Sequence, residues 1–236
     1  MRRETFAAQG PLRLDLSLPA GEIELEAVPG GETVVELELL RGSEAAVEEA
    51  RVELRGDELI VKVDHPNAEV RLRLQVPEGS TLQAKTASGD VRARGRLGDA
   101  EVKSASGDVQ LEAVGSLDAK IASGDLEVAQ VAGDARVDSA SGDVDLGEAG
   151  GGVTVRTASG DQLLRSVVDG KVELASASGD IRVGIKQGSR LWVDARSMSG
   201  EVTSELEVGD EVPEEDGPLV ELKVTAMSGD VEVVRA

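Results

Sequence analysis

Apolar side chains in the middle of this chain return in columns, and the columns define its elements. Stacking the triplets Ser88-Gly89-Asp90, Ser106-Gly107-Asp108, Ser123-Gly124-Asp125, Ser141-Gly142-Asp143, Ser159-Gly160-Asp161 and Ser178-Gly179-Asp180 sets them 18, 17, 18, 18 and 19 residues apart. The position two after each glycine then reads Val91, Val109, Leu126, Val144, Gln162, Ile181, and two further on Ala93, Leu111, Val128, Leu146, Leu164, Val183. A third column, at a bend, holds Leu97, Val114, Val131, Ala149 and Val167; a fourth holds Val102, Ala119, Val137, Val155 and Leu174. Gln162 is the one departure. Charged residues alternate with these positions, the period of strands with one face inward. A weaker turn falls midway, at Gly98-Asp99, Gly133-Asp134, Gly151-Gly152 and Asp169-Gly170. Each coil therefore has at least two short strands and two corners, and equivalent strands of successive coils run parallel, about 4.8 Å apart. Self-similarity at this short period is the signature of a β-solenoid.

The flanks keep the strand period without the strict repeat. Leu12–Leu18, Ile23–Ala27, Val35–Leu39, Val52–Leu54, Leu59–Val63 and Val70–Val76 read as strands, separated by turns such as Pro19-Ala20-Gly21, Pro29-Gly30-Gly31 and Pro77-Glu78-Gly79-Ser80. Ser43–Ala50 reads as one or two helical turns with Ser43 as the cap. Beyond Val183 the register loosens: a strand over 189–195 carries Trp192, an acidic stretch containing Pro213 spans 205–217, and strands return at 219–226 and 231–234. Echoes of the triplet stand at Ser199-Gly200-Glu201 and Ser228-Gly229-Asp230. The expected division is an N-terminal β segment over 1–84, continuous with the solenoid or capping it, regular coils over 85–204, and an acidic loop with C-terminal capping strands over 205–236. Solenoid ends need such caps because an open sheet edge invites pairing.

Charge narrows the partners. A formal net charge of −21 leaves no positive footprint for phosphates, so nucleic acid is not an expected partner. No run approaches the roughly 20 apolar residues of a membrane helix, and no apolar stretch follows Arg2-Arg3, so neither direct membrane insertion nor a signal peptide is expected. This leaves the compartment open between the cytoplasm and a peripheral place at the envelope. There is no cysteine, hence no disulfide and no thiolate metal site. With Phe6 and Trp192 the only aromatic residues, the core is built from Val, Leu, Ile and Ala, which suits thin stacked layers.

The Val76-Pro77-Glu78-Gly79 turn, then Lys85-Thr86-Ala87-Ser88-Gly89-Asp90-Val91, then repeated Ser-Gly-Asp coils resemble a bacterial family of β-strand-repeat proteins labelled "putative adhesin", a domain of otherwise unknown function. The resemblance covers roughly the whole chain and is most specific over 76–183. It implies an all-β fold, a right-handed parallel β-helix, and an envelope- or surface-linked role in some members; it brings no ligand residues.

The candidate site is the triplet column itself: Ser88 and Asp90, Ser106 and Asp108, Ser123 and Asp125, Ser141 and Asp143, Ser159 and Asp161, Ser178 and Asp180. As structure, glycine supplies a positive φ at a tight corner while Ser and Asp side chains bond backbone groups that the corner leaves unpaired. As a site, stacked carboxylates about 4.8 Å apart repel by about 0.9 kcal/mol in water and about 3.5 kcal/mol at an effective dielectric of 20, which calcium would relieve. Lys85, Lys103 and Lys120, in one outward column, offer another source of positive charge. No catalytic residue is expected: His65 is the only histidine and precedes a proline in a turn, so no triad is available. Three functions follow in order: a non-enzymatic scaffold making protein contacts or self-associating through its faces or end caps; a calcium- or glycan-binding surface module; and a β-helix hydrolase acting on polysaccharide. No cofactor other than calcium is implied.

Overall fold

A strand that alternates apolar and polar residues buries one face only, so it needs a neighbour on each edge and a core in front of it. A computed structural model of the protein describes residues 1–205 and 217–236, and most of them lie in strands. The acidic excursion expected over 205–217 lies outside the described residues except at its ends. The chain divides into two units, Met1–Gly124 and Asp125–Ala236. The fold is all-β, of the parallel β-helix type.

The first unit holds β1 (Arg2–Ala7), β2 (Arg13–Val28), β3 (Glu32–Arg41), α1 (Ala45–Glu48), β4 (Arg51–Arg55), β5 (Glu58–Lys62), β6 (Glu69–Pro77), β7 (Thr81–Arg96), β8 (Ala100–Ser106), β9 (Val109–Val114) and β10 (Leu117–Ser123). Arg13–Val28, within a stretch expected as two strands and a turn, forms one strand that bends at Gly21, whose φ is +120°. The Pro19-Ala20-Gly21-Glu22 segment is therefore a solenoid corner: Ala20, Gly21 and Glu22 pair in register with Ser88, Gly89 and Asp90 of β7. Along its other edge β2 pairs in parallel with β5 and then β6. A coil early in the sequence thus lies between two later ones. Beyond it β3, β1 and β4 pair antiparallel, and α1 buries Ala46 and Val47 at the same end. The helix begins one residue later than Ser43 implies; Glu44 occupies the N-cap with no side-chain cap bond, while the Ser43 hydroxyl accepts the Ala45 N–H at 3.4 Å. On the outer face Arg71 donates to Glu22 at 2.6 Å and to Glu38 at 3.2 Å, and Arg73 donates to Glu24 and Glu38 at 2.9 and 3.1 Å. Those carboxylates hold the Arg71 guanidinium above its ordinary range.

The second unit holds β11 (Leu126–Val131), β12 (Ala135–Ser141), β13 (Val144–Ala149), β14 (Val153–Ser159), β15 (Gln162–Val167), β16 (Gly170–Ser178), β17 (Ile181–Ile185), β18 (Arg190–Ser197), β19 (Val202–Ser204), β20 (Leu219–Ser228) and β21 (Val231–Arg235). All pair in parallel: β11, β13, β15, β17, β21 and β19 on one side, β12, β14, β16, β20 and β18 on the other. The last strands of the chain are thus internal, and the coil of β18 and β19 is outermost. The predicted apolar columns form the core. Leu146, Leu164, Ile181 and Val183 are all at most 1% exposed, as are Val220, Leu222, Val224, Val231 and Val233 of the inserted coil.

Candidate functional site

At every triplet but the first, whose Gly89 stays in the strand, the glycine opens φ into the region that side chains avoid, +121° at Gly142, +124° at Gly160 and +127° at Gly179. This turn takes the backbone out of regular pairing, and the aspartate supplies the missing acceptor. In the second unit Asp125 Oδ1 accepts the N–H of Asp143, Asp143 that of Asp161, Asp161 that of Asp180, Asp180 that of Asp230, and Asp230 that of Glu201, each at 2.8 Å. In the first unit Asp90 Oδ1 accepts the Asp108 N–H at 3.1 Å. Backbone bonds flank each of these. The Gly142 and Gly160 amides donate to the Ser159 and Ser178 carbonyls, and the Val144 and Gln162 amides to those of Asp161 and Asp180. The echoes at 199–201 and 228–230 join the same column.

The serines Ser88, Ser106, Ser123, Ser141, Ser159 and Ser178 are all exposed, and their hydroxyls make no hydrogen bond among the described residues. A shallow, open groove of about 520 Å³ runs over the corner, lined by Asp161, Asp180, Asp230, Glu201, Glu232 and Arg182. No group of three or more His, Cys, Asp or Glu residues is placed to hold a metal ion among the described residues. The lysine column exists in register, Lys85 beside Lys103 and Lys103 beside Lys120. Lys103 is drawn to Glu101 on its own strand, and that contact, followed by Gln83, holds the Glu101 carboxyl below its usual range. His65 lies 3.1 Å from Glu49.

One column escaped the sequence reading. Two positions before each triplet serine stand Thr86, Ser104, Ile121, Ser139, Thr157 and Ser176, all buried. The signal was a small or β-branched residue in every coil, but hydroxyls read as polar. The corner is tight there: a Cβ on Gly89 would stand 2.8 Å from Thr86 Oγ1. Gln162 belongs to this layer. Its amide nitrogen donates to Thr157 Oγ1 at 2.8 Å and to the Ala175 carbonyl at 2.9 Å, while its own Oε1 has no partner. Ile121 and Leu126 occupy the same two columns as an apolar pair. The double substitution Thr157→Ile, Gln162→Leu is therefore expected to stabilise the protein by about 1 kcal/mol, since both partners of a buried polar contact leave together. Gln162→Leu alone is expected to be near neutral. Urea unfolding of the two variants measures both.

No curated protein matches the chain. Among the solved structures similar in fold are two whose chains match almost end to end. One is a "putative adhesin" from Bacteroides fragilis, 15% identical with a TM-score of 0.54, the match covering 98% of this chain and 96% of that one. The other is a "putative lipid binding protein" from Parabacteroides distasonis, 14% identical with a TM-score of 0.59, over 98% and 96% of the two chains. Identities this low carry the fold alone. The Toastrack DUF4097 family model matches residues 65–234, from the turn at His65 through every triplet to the last strand, and the chain belongs to that family.

Proposed function

We propose that this protein is a non-enzymatic β-solenoid scaffold whose triplet column is structural and whose function is contact with protein. The observation that carries the reading is the engagement of one oxygen of each ladder aspartate by the backbone N–H of the neighbouring coil. The aspartates that look like a binding array are in use as corner acceptors. The only histidine sits in a turn, so an acyl-transfer triad has no base. No helix among the described residues is long and apolar enough to cross a membrane. The word "adhesin" in a relative's name agrees with a role in contact, while the lipid-binding name belongs to a protein that shares only the fold.

Thermal melting with and without millimolar calcium tests the reading, because a ligand of the native state raises the melting temperature by mass action. The expected result is no shift. A rise of several degrees would make the aspartate column a cation site and overturn the structural assignment.

A further inference from the structure

Apart from Met1 and Leu40, every large exposed apolar side chain among the described residues lies between Trp192 and Met227: Trp192, Val193, Met198, Val202, Leu219 and Met227. All belong to the outermost two coils of the second unit. Among the described residues β18 pairs through one edge only, with β20. The Arg190 and Met198 amides donate into that neighbouring coil, to the Pro218 and Ala226 carbonyls. The even-numbered backbone groups of β18 therefore point into the stack, and the odd-numbered groups of Leu191, Val193 and Ala195 point to the open edge. Among the described residues no strand covers them.

That edge is self-complementary in one antiparallel register. With Trp192 opposite Trp192 of a second copy, Leu191 faces Val193 twice and Arg190 faces Asp194 twice. Leu191 and Val193 are the residues whose N–H and C=O face outward, so they form the narrow hydrogen-bonded pairs; the tryptophans fall at a non-hydrogen-bonded pair, where side chains approach most closely. Side-chain direction agrees. Leu191 and Val193 stand in register with the core residues Val220 and Leu222, so two apposed ends would continue one core. Centring instead on Val193 would oppose Arg190 to Arg196. Asp194 already receives two bonds from Arg196, at 3.0 and 3.1 Å, and a carboxylate has lone pairs for a second guanidinium.

We propose that the open edge of β18 docks a second copy of this chain, antiparallel and centred on Trp192. The proposal rests on the scaffold reading and names its partner and its surface. Complementary charge at the contact is needed because a formal net charge of −21 on each copy repels at long range; near physiological ionic strength that repulsion is screened over about 8 Å.

The test uses the full chain at that ionic strength. Sedimentation over a roughly thousandfold dilution series is read beside the emission of Trp192, the only tryptophan. The expected result is a dimer that dissociates on dilution, with the emission moving to the red as the ring becomes wet. Asp194→Arg and Arg190→Asp, made separately, each place like charges opposite one another and are expected to weaken the dimer at least about tenfold. Mixed in equal amounts they restore it, because the two arginines of one chain then meet the two aspartates of the other; the restoration also shows that both variants fold. A monomer at every concentration, a dimer indifferent to both substitutions, or a mixture that stays monomeric overturns the proposal. A monomer with calcium-insensitive melting sinks only this proposal, whereas a calcium-dependent rise in melting temperature sinks the scaffold reading whatever the mass.

Discussion

Gly160→Ala will destabilise the protein by about 3–5 kcal/mol, a large share of what a domain possesses. Two costs add at this position. The glycine holds φ at +124°, where an L side chain is strained. A Cβ there would also stand 2.2 Å from the Gly142 carbonyl oxygen and 2.6 Å from its carbon, and both are backbone atoms that cannot swing aside. Relief would need the two coils to part, which stretches the Asp161-to-Asp143 bond and the Gly142-to-Ser159 bond on either side of the corner. Gly188→Ala separates the terms. Its φ is +90° but nothing lies within 4 Å of the added carbon, so strain alone remains, about 1 kcal/mol. Urea unfolding followed by circular dichroism gives both values; equal losses would show that the stacked glycines are not in contact as described. Because solenoid stability is a sum of coil and interface terms, the Gly160 variant is also expected to broaden the transition as its coils uncouple.

The contrast between these glycines marks what the sequence makes legible. Columns two and four residues after each glycine were readable because alternation and an 18-residue return leave one way to face a core, and Leu146, Leu164 and Val183 are buried as that demands. The first coil was not read as a coil, since Pro19-Ala20-Gly21-Glu22 shares only the glycine with the triplet and an acid in place of aspartate. The apolar spacing gave it away all the same: Ile23 and Leu25 stand two and four residues after Gly21, as Val91 and Ala93 do after Gly89.

Strand order at the far end of the second unit was illegible for a different reason. Parallel pairing asks only for matching columns, and both 190–204 and 219–235 match β16 and β17. Burial decides between them. The inserted coil presents Val220, Leu222, Val224, Ala226, Val231 and Val233 inward, whereas the outer coil has Leu191, Val193, Ala195, Ser197, Val202 and Ser204 at the equivalent places. The more apolar coil takes the slot covered on both sides, and the coil carrying two serines takes the end. A period alone cannot report that competition, which is why the sequence places Trp192 on a strand but not on an open edge.

Removing the ladder from three successive corners, with Asp143→Ala, Asp161→Ala and Asp180→Ala together, is expected to cost about 3 kcal/mol, roughly 1 kcal/mol for each amide left without its acceptor. The amides concerned are those of Asp161, Asp180 and Asp230, each now bonded at 2.8 Å. The corresponding triple change to asparagine should leave stability equal to the parent's or slightly above it. Asparagine keeps an acceptor oxygen at the same place, and it removes the mutual repulsion of carboxylates stacked about 4.8 Å apart. Neighbouring corners share a backbone ladder, so the triple effect is compared with the sum of the singles and need not equal it. The asparagine series carries the discrimination. If the aspartates serve the corner, charge is dispensable and the acceptor is not. If instead the asparagine variant falls as far as the alanine variant, the negative charge itself is required, and the column holds a cation rather than a turn.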